Sequence, residues 1–113
     1  MRFHFKDDKS GFKIEVINCN NLKKFLGLMF TRKEKANALL FNFKKTTRIK
    51  LHSFFVFFPF IAIWLDEKNK IVDLQIVKPF RFSVSSKNKF SKILEIPINK
   101  RYEKINKNLI RRF

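Results

Sequence analysis

The sequence predicts a compact, basic, β-rich single domain, and three observations support that reading. The 113 residues suit one domain, long enough to bury roughly two-thirds of the extended surface. Hydrophobic residues make up 45% of the chain and include 16 Phe, one Trp and one Tyr, too rich a mixture for disorder even with 31% charged residues. The apolar residues fall in short runs that alternate with charge or are broken by polar clusters, which is strand rather than long-helix patterning. With only 2 Gly and 3 Pro, collagen-like and low-complexity architectures are excluded, and so are glycine-loop nucleotide enzymes. Residues 1–113 are expected to form the single domain, in which residues 1–10 can be a flexible N-terminal segment.

In Phe12-Lys13-Ile14-Glu15-Val16 apolar and charged residues switch at every step, predicting a half-buried strand over 12–17. Asn18-Cys19-Asn20-Asn21 ends it, and Asn20 or Asn21 can cap a short helix through Leu22-Lys23-Lys24-Phe25-Leu26 that stops at Gly27. Arg32-Lys33-Glu34-Lys35 reads as a solvated connection and Ala38-Leu39-Leu40-Phe41-Asn42-Phe43 as a buried strand, followed by a polar stretch over 44–50. Residues 49–65 predict two strands separated at Pro59, with Phe55, Phe57, Ile61 and Ile63 buried. Asp66-Glu67-Lys68-Asn69-Lys70 has the length and polarity of a hairpin loop between Phe60–Leu65 and Ile71–Val77. Pro79 closes that hairpin, residues 83–92 read as a mobile basic loop, and Ile93-Leu94-Glu95-Ile96 before Pro97 reads as a strand. The tail, 98–113, fits either one helix with Ile105, Leu109 and Ile110 on a common face, or a short helix followed by a strand over 109–113.

The residues support little covalent chemistry. Cys19 is the only cysteine, so no intramolecular disulfide can form, a reducing compartment fits, and the thiol is expected to behave as a small buried hydrophobe. His4, His52 and Cys19 have no metal-ligand spacing, and neither a metal nor a cofactor is expected. Asp7-Asp8 and Asp66-Glu67 are sequence neighbours, which in extended chain point to opposite faces, and Ser83, Ser85 and Ser86 lie in a loop context rather than a nucleophile elbow. No catalytic residue is expected. Charges interrupt the first nine residues where a signal peptide needs an apolar stretch, and the longest apolar run, 54–65, is too short to span a bilayer as a helix. A cytoplasmic location is the expectation.

Charge is the stronger functional lead. The formal net charge of +17 attracts polyanions. It concentrates in two stretches: Lys100, Arg101, Lys104, Lys107, Arg111 and Arg112 against Glu103 alone, and nine bases against Glu34 over residues 23–50. If the two share a face they can track a phosphate backbone, with Phe80, Phe82 or Tyr102 available to stack on unpaired bases.

Several blocks in order resemble one known family. Gly27-Leu28-Met29-Phe30, Ala38-Leu39-Leu40-Phe41-Asn42-Phe43, and Leu51-His52-Ser53-Phe54-Phe55-Val56-Phe57-Phe58-Pro59 are followed by Ile63-Trp64-Leu65-Asp66, Lys78-Pro79-Phe80 and Ile93-Leu94-Glu95-Ile96-Pro97. From about Val16 to Ile110 the order is similar to the archaeal-type branch of the domain-of-unknown-function 192 family, also called uncharacterised protein family 0127. Ile61 stands where that family has an acidic residue after the proline, Ile98-Asn99 follows Pro97 where the family has Ala-Gly, and Asn106-Lys107-Asn108 replaces a Val-Gly-Asp turn, with asparagines able to keep the turns. The resemblance implies a small, mainly β sandwich or barrel with a short helix near Gly27, and no established biochemical activity.

Two functions are therefore expected to compete. The first is a non-catalytic binding protein that contacts RNA or a ribonucleoprotein through Lys100, Arg101, Lys104, Lys107, Arg111 and Arg112. The second is a pocket protein or enzyme for a small anionic ligand held near Gly27, Met29, His52 and Ser53, where Ile61 argues that any acid–base role has been lost.

Overall fold

The computed structural model describes residues 1–19, 32–50, 56–81 and 83–112, except for the side chains of residues 44, 45 and 112. Its strands are β1 (Arg2–Lys6), β2 (Gly11–Asn18), β3 (Ala38–Thr47), β4 (Phe60–Leu65), β5 (Ile71–Val77) and β6 (Phe90–Pro97), and helix α1 (Glu103–Arg112) follows them. Together the strands form one sheet in the order β1-β2-β3-β6-β4-β5. All neighbours are antiparallel except β2 and β3, whose parallel pairing requires the long crossover between Asn18 and Ala38. The predicted helix through Leu22–Leu26 falls in that crossover, outside the described residues.

The sheet is a half-barrel rather than a flat layer. Its two edges approach at one corner, where Lys6 of β1 forms a bridge to Lys70 immediately before β5, and Lys6 N donates to Asn69 O at 3.0 Å. The Lys70 ammonium lies 2.6 Å from the Asp8 carboxylate, and that hydrogen bond holds its pKa above the ordinary lysine value. The barrel-like expectation is therefore met by one curled sheet, closed against itself at a single corner.

Period-two alternation explains most of the strands. In β2, Ile14 and Val16 are buried and Lys13 and Glu15 exposed, and β1 repeats the pattern with Phe3 and Phe5 inward and Arg2, His4 and Lys6 outward. Strand β1 occupies residues 2–6 of the N-terminal segment 1–10. Phe3 and Phe5 pair in register with Ile14 and Phe12, and the Phe5 and Phe12 rings stack at 5.1 Å. Strand β4 is buried on both faces, as its unbroken apolar run requires of a strand held between β5 and β6. The hairpin β4–β5 has the predicted bounds. Its loop closes through Asp66, whose Oδ1 accepts from Lys68 N and Lys70 N, and Asn69 supplies the left-handed residue at φ 64°.

Three expectations change. Strand β6 begins at Phe90, so the last residues of the expected basic loop over 83–92 belong to the sheet. Strand β3 continues through the polar residues to Thr47 because a register shift between Asn42 and Thr47 accommodates the extra length against β6. Phe57 is 58% exposed, although Ile61 and Ile63 are fully buried as expected. The phase of alternation runs through Pro59, with Val56, Phe58, Phe60, Ala62 and Trp64 in one apolar cluster, and it is the opposite face that changes, from exposed at Phe57 to buried at Ile61 and Ile63, which join the second cluster. Phe55 lies outside the described residues.

The tail takes the helical alternative. Leu109 is fully buried and Ile105 packs beside it, but Ile110 is 44% exposed. Tyr102 and Asn106 complete the inward face instead, with Asn106 Nδ2 donating to Pro97 O at 3.1 Å. Asn106-Lys107-Asn108 is thus a stretch of helix and not a turn. The second apolar cluster fills the space between α1 and the sheet, joining Leu109 to Ile61, Ile63, Leu65, Leu94 and Ile96.

Candidate functional site

The chain leaves β6 at Pro97 and must reverse before α1, and Asn99 makes that reversal. Its backbone is extended at φ −140°, and its Oδ1 caps the 3-10 turn Lys100–Tyr102 by accepting from Tyr102 N at 3.3 Å. The sequence expects this asparagine only to keep a turn. The side-chain amide is used as well: Nδ2 donates to Lys33 O at 2.9 Å and to Ala36 O at 3.1 Å. Three residues on, the buried Tyr102 hydroxyl accepts from Ala38 N at 2.8 Å, and the Arg101 guanidinium donates to Asn37 Oδ1. These bonds fasten the turn before α1 to the 3-10 turn Lys33–Lys35 that precedes β3.

The two basic stretches of the sequence therefore meet. Arg32, Lys33 and Lys35 are exposed on one turn, and Lys100 and Arg101 on the other, with Lys104 in the first turn of α1. An open groove of about 790 Å³ runs along the second turn and the start of α1, lined among others by Lys13, Asn37, Lys100, Arg101 and Lys104 but not by Arg32, Lys33 or Lys35. Its carboxylates are already engaged: Glu15 pairs with the N-terminal ammonium at 3.3 Å and with Arg2 at 3.6 Å, and Glu103 with Lys107 at 3.2 Å. Cations thus dominate the groove, and such a concave surface favours polyanionic chains over cationic or neutral ones. A second depression, beside Lys68 and Lys89, contains Asp66 and Glu67 and lacks this bias.

Of the predicted basic residues, Lys100, Arg101 and Lys104 line the groove, and Lys107 is exposed and paired to Glu103. Arg111 lies elsewhere, over a smaller depression with Ser10, Gly11, Phe12 and Asn108. Arg112 belongs to α1, its side chain outside the described atoms. The alternative pocket residues Gly27, Met29, His52 and Ser53 are outside the described residues. Of the aromatic candidates, Tyr102 is buried and unavailable for stacking, Phe80 is exposed, and Phe82 is not described. Sequence reasoning missed Asn99, Asn37 and Lys13. An asparagine directly before a basic turn was a capping signal, but nothing local announced its reach to residue 33.

One buried carboxyl stands apart from the groove. Glu95 is 7% exposed between its cross-strand neighbours Leu39 and Ala62, and burial pushes its pKa up to about 8, so it is mainly protonated at neutral pH. Among the described residues no three His, Cys, Asp or Glu side chains come together as metal ligands. Cys19 is buried, its thiol 3.6 Å from Ile17 O. None of the described helices is long and apolar enough to cross a membrane.

Comparison with known proteins bears on fold and family. Residues 3–104 match the DUF192 family, described as uncharacterized ACR. The UPF0127 protein PF1050 of Pyrococcus furiosus is 37% identical over 75 residues, which is 64% of this chain and 63% of that protein's length. Among solved structures, a protein of unknown function from Novosphingobium aromaticivorans superposes with a TM-score of 0.69 at 11% identity, covering 91% of this chain and 75% of its own. A Sinorhizobium meliloti 1021 protein provisionally described as a transcription regulator superposes with a TM-score of 0.74 at 15% identity, covering 93% and 83%. At these identities the two structures share the fold alone.

Proposed function

The chain belongs to the DUF192 family of uncharacterized proteins, and we propose that it is a cytoplasmic, non-catalytic binding protein whose basic face contacts RNA or a ribonucleoprotein. The observation that supports this reading is the fastening of the Lys33–Lys35 turn to the Lys100–Tyr102 turn by Asn99, which brings exposed cations more than sixty residues apart in the chain onto neighbouring turns, the second of which lines a groove with Lys13, Lys100, Arg101 and Lys104. Lysine and arginine there act as phosphate contacts: each neutralises a phosphate and releases a counterion, so affinity falls with salt.

A filter-binding titration with RNA at two salt concentrations tests the reading. The expected result is nanomolar-to-micromolar binding whose logarithm falls with log salt at about −0.7 per neutralised phosphate. Replacing Lys33, Lys35, Lys100, Arg101 and Lys104 with Gln should weaken binding and flatten the slope, while the same change at Lys68 and Lys89 should have a smaller effect. Absence of binding at low salt, or equal losses from the two sets, would overturn it.

A further inference from the structure

Phe57 and Phe80 are the anomaly of the surface: their rings meet edge to face at 5.4 Å, yet they remain 58% and 49% exposed. Phe80 holds its position with φ at 60°, a backbone conformation that a bulky side chain rarely adopts. The strain is concentrated where a ring is held out in solvent rather than in the core. Lys78 and Arg81, both exposed, flank it in the chain.

Strand register fixes where this pair sits. Phe60, the first residue of β4, lies opposite Val77 at the end of β5 and opposite Pro97 at the end of β6. Ile98 N donates to Pro59 O at 3.2 Å, and β3 begins at Ala38, with Leu39 opposite Glu95. The segments carrying Phe57 and Phe80 therefore leave the same end of the sheet as the two fastened basic turns. A chain of phosphates lying on Lys33, Lys35, Lys100 and Arg101 has, at that end, aromatic faces within a cationic setting.

We propose that Phe57 and Phe80 form a stacking platform for unpaired bases, so that the basic face takes single-stranded RNA in preference to duplex. This rests on the RNA reading above and specifies its substrate class. Duplex hides its base faces, so it gains only phosphate contacts, whereas a single strand gains stacking on every exposed ring.

Fluorescence anisotropy with a 15-nucleotide oligouridine and an RNA duplex of matched charge, titrated with the full chain, tests it. The wild type should bind the single strand more tightly. Phe57→Leu and Phe80→Asn, the latter suited to positive φ, should each weaken single-strand binding about tenfold, leaving the duplex affinity and the salt slope unchanged, and Phe57→Tyr should retain wild-type affinity. Phe57→Tyr keeps the ring and Phe57→Leu keeps apolar bulk without it, and the duplex affinity of each variant reports whether it is folded. Single-strand affinities within twofold of wild type in both ring-deleting variants, or equal losses for duplex and single strand, would overturn the platform while leaving the basic groove standing. A wild type that binds neither RNA would overturn both proposals.

Discussion

Replacing Asn99 with Ala separates the geometry of the basic groove from its charge, because it removes no cation. The wild-type side chain makes the solvent-exposed bond to Lys33 O, the half-buried bond to Ala36 O and the cap on Tyr102 N. The exposed bond contributes little, since water replaces it. The other two contribute about 1 kcal/mol each, within the range for net hydrogen bonds and for helix-capping asparagine. The expected loss is therefore about 2 kcal/mol, which for a chain of this length lowers the melting temperature by roughly 8 °C. The single tryptophan, Trp64, is fully buried in the sheet and reports the transition by fluorescence. Below the melt, RNA affinity at low salt should fall severalfold, because the Lys33–Lys35 turn loses its tether to Lys100 and Arg101. A variant that melts about 8 °C lower and still binds RNA like the wild type would show that the tether is structural only. A melting temperature within 1 °C of wild type would refute the hydrogen-bond argument itself.

Three further outcomes follow from burial and charge. Leu109→Ala should cost about 2 to 5 kcal/mol by opening a cavity under α1, whereas Ile110→Ala, on the exposed side, should change stability by less than about 0.5 kcal/mol; chemical denaturation of the two variants checks this. Phe60→Ala should cost about 3 to 5 kcal/mol and Phe57→Ala under about 1 kcal/mol, and a reversed order in thermal melts would show that the burial phase around Pro59 is wrong. Glu95 has its pKa raised in the folded state to about 8. The folded chain therefore holds this proton more tightly than the unfolded chain, and the contribution of Glu95 to stability is full below the ordinary glutamate pKa and is lost as pH rises toward 8, by up to about 1.4 kcal/mol per pH unit. Melting temperatures across pH 5 to 8 should fall more steeply for the wild type than for Glu95→Gln; parallel curves would place the carboxyl in a better-solvated setting.

How much was legible depends on the distance over which each interaction acts. The β4–β5 hairpin was readable to its end residues because an apolar run, a five-residue polar loop and a second apolar run are adjacent in the chain. Strand β1 carried the same alternation as β2, but five residues rich in charge gain stability only by pairing with residues 11–15, so the local pattern resembled a loose terminus. The tail was ambiguous for a related reason. Spacing of Ile105 and Leu109 fits a helix, and it is the apolar face of the sheet that selects that helix over a strand.

The sequence by itself determined the β-rich class, the hairpin, the family resemblance and the excess of positive charge, since each is written in composition, in period or in the order of adjacent blocks. Tertiary structure alone decided which cations lie on neighbouring turns. Asn99 reaches across to residues 33 and 36, Tyr102 to Ala38 and Arg101 to Asn37, all pairings between residues far apart in the chain. Such contacts depend on β3 and β6 lying side by side in the sheet, and no local pattern of residues encodes that adjacency.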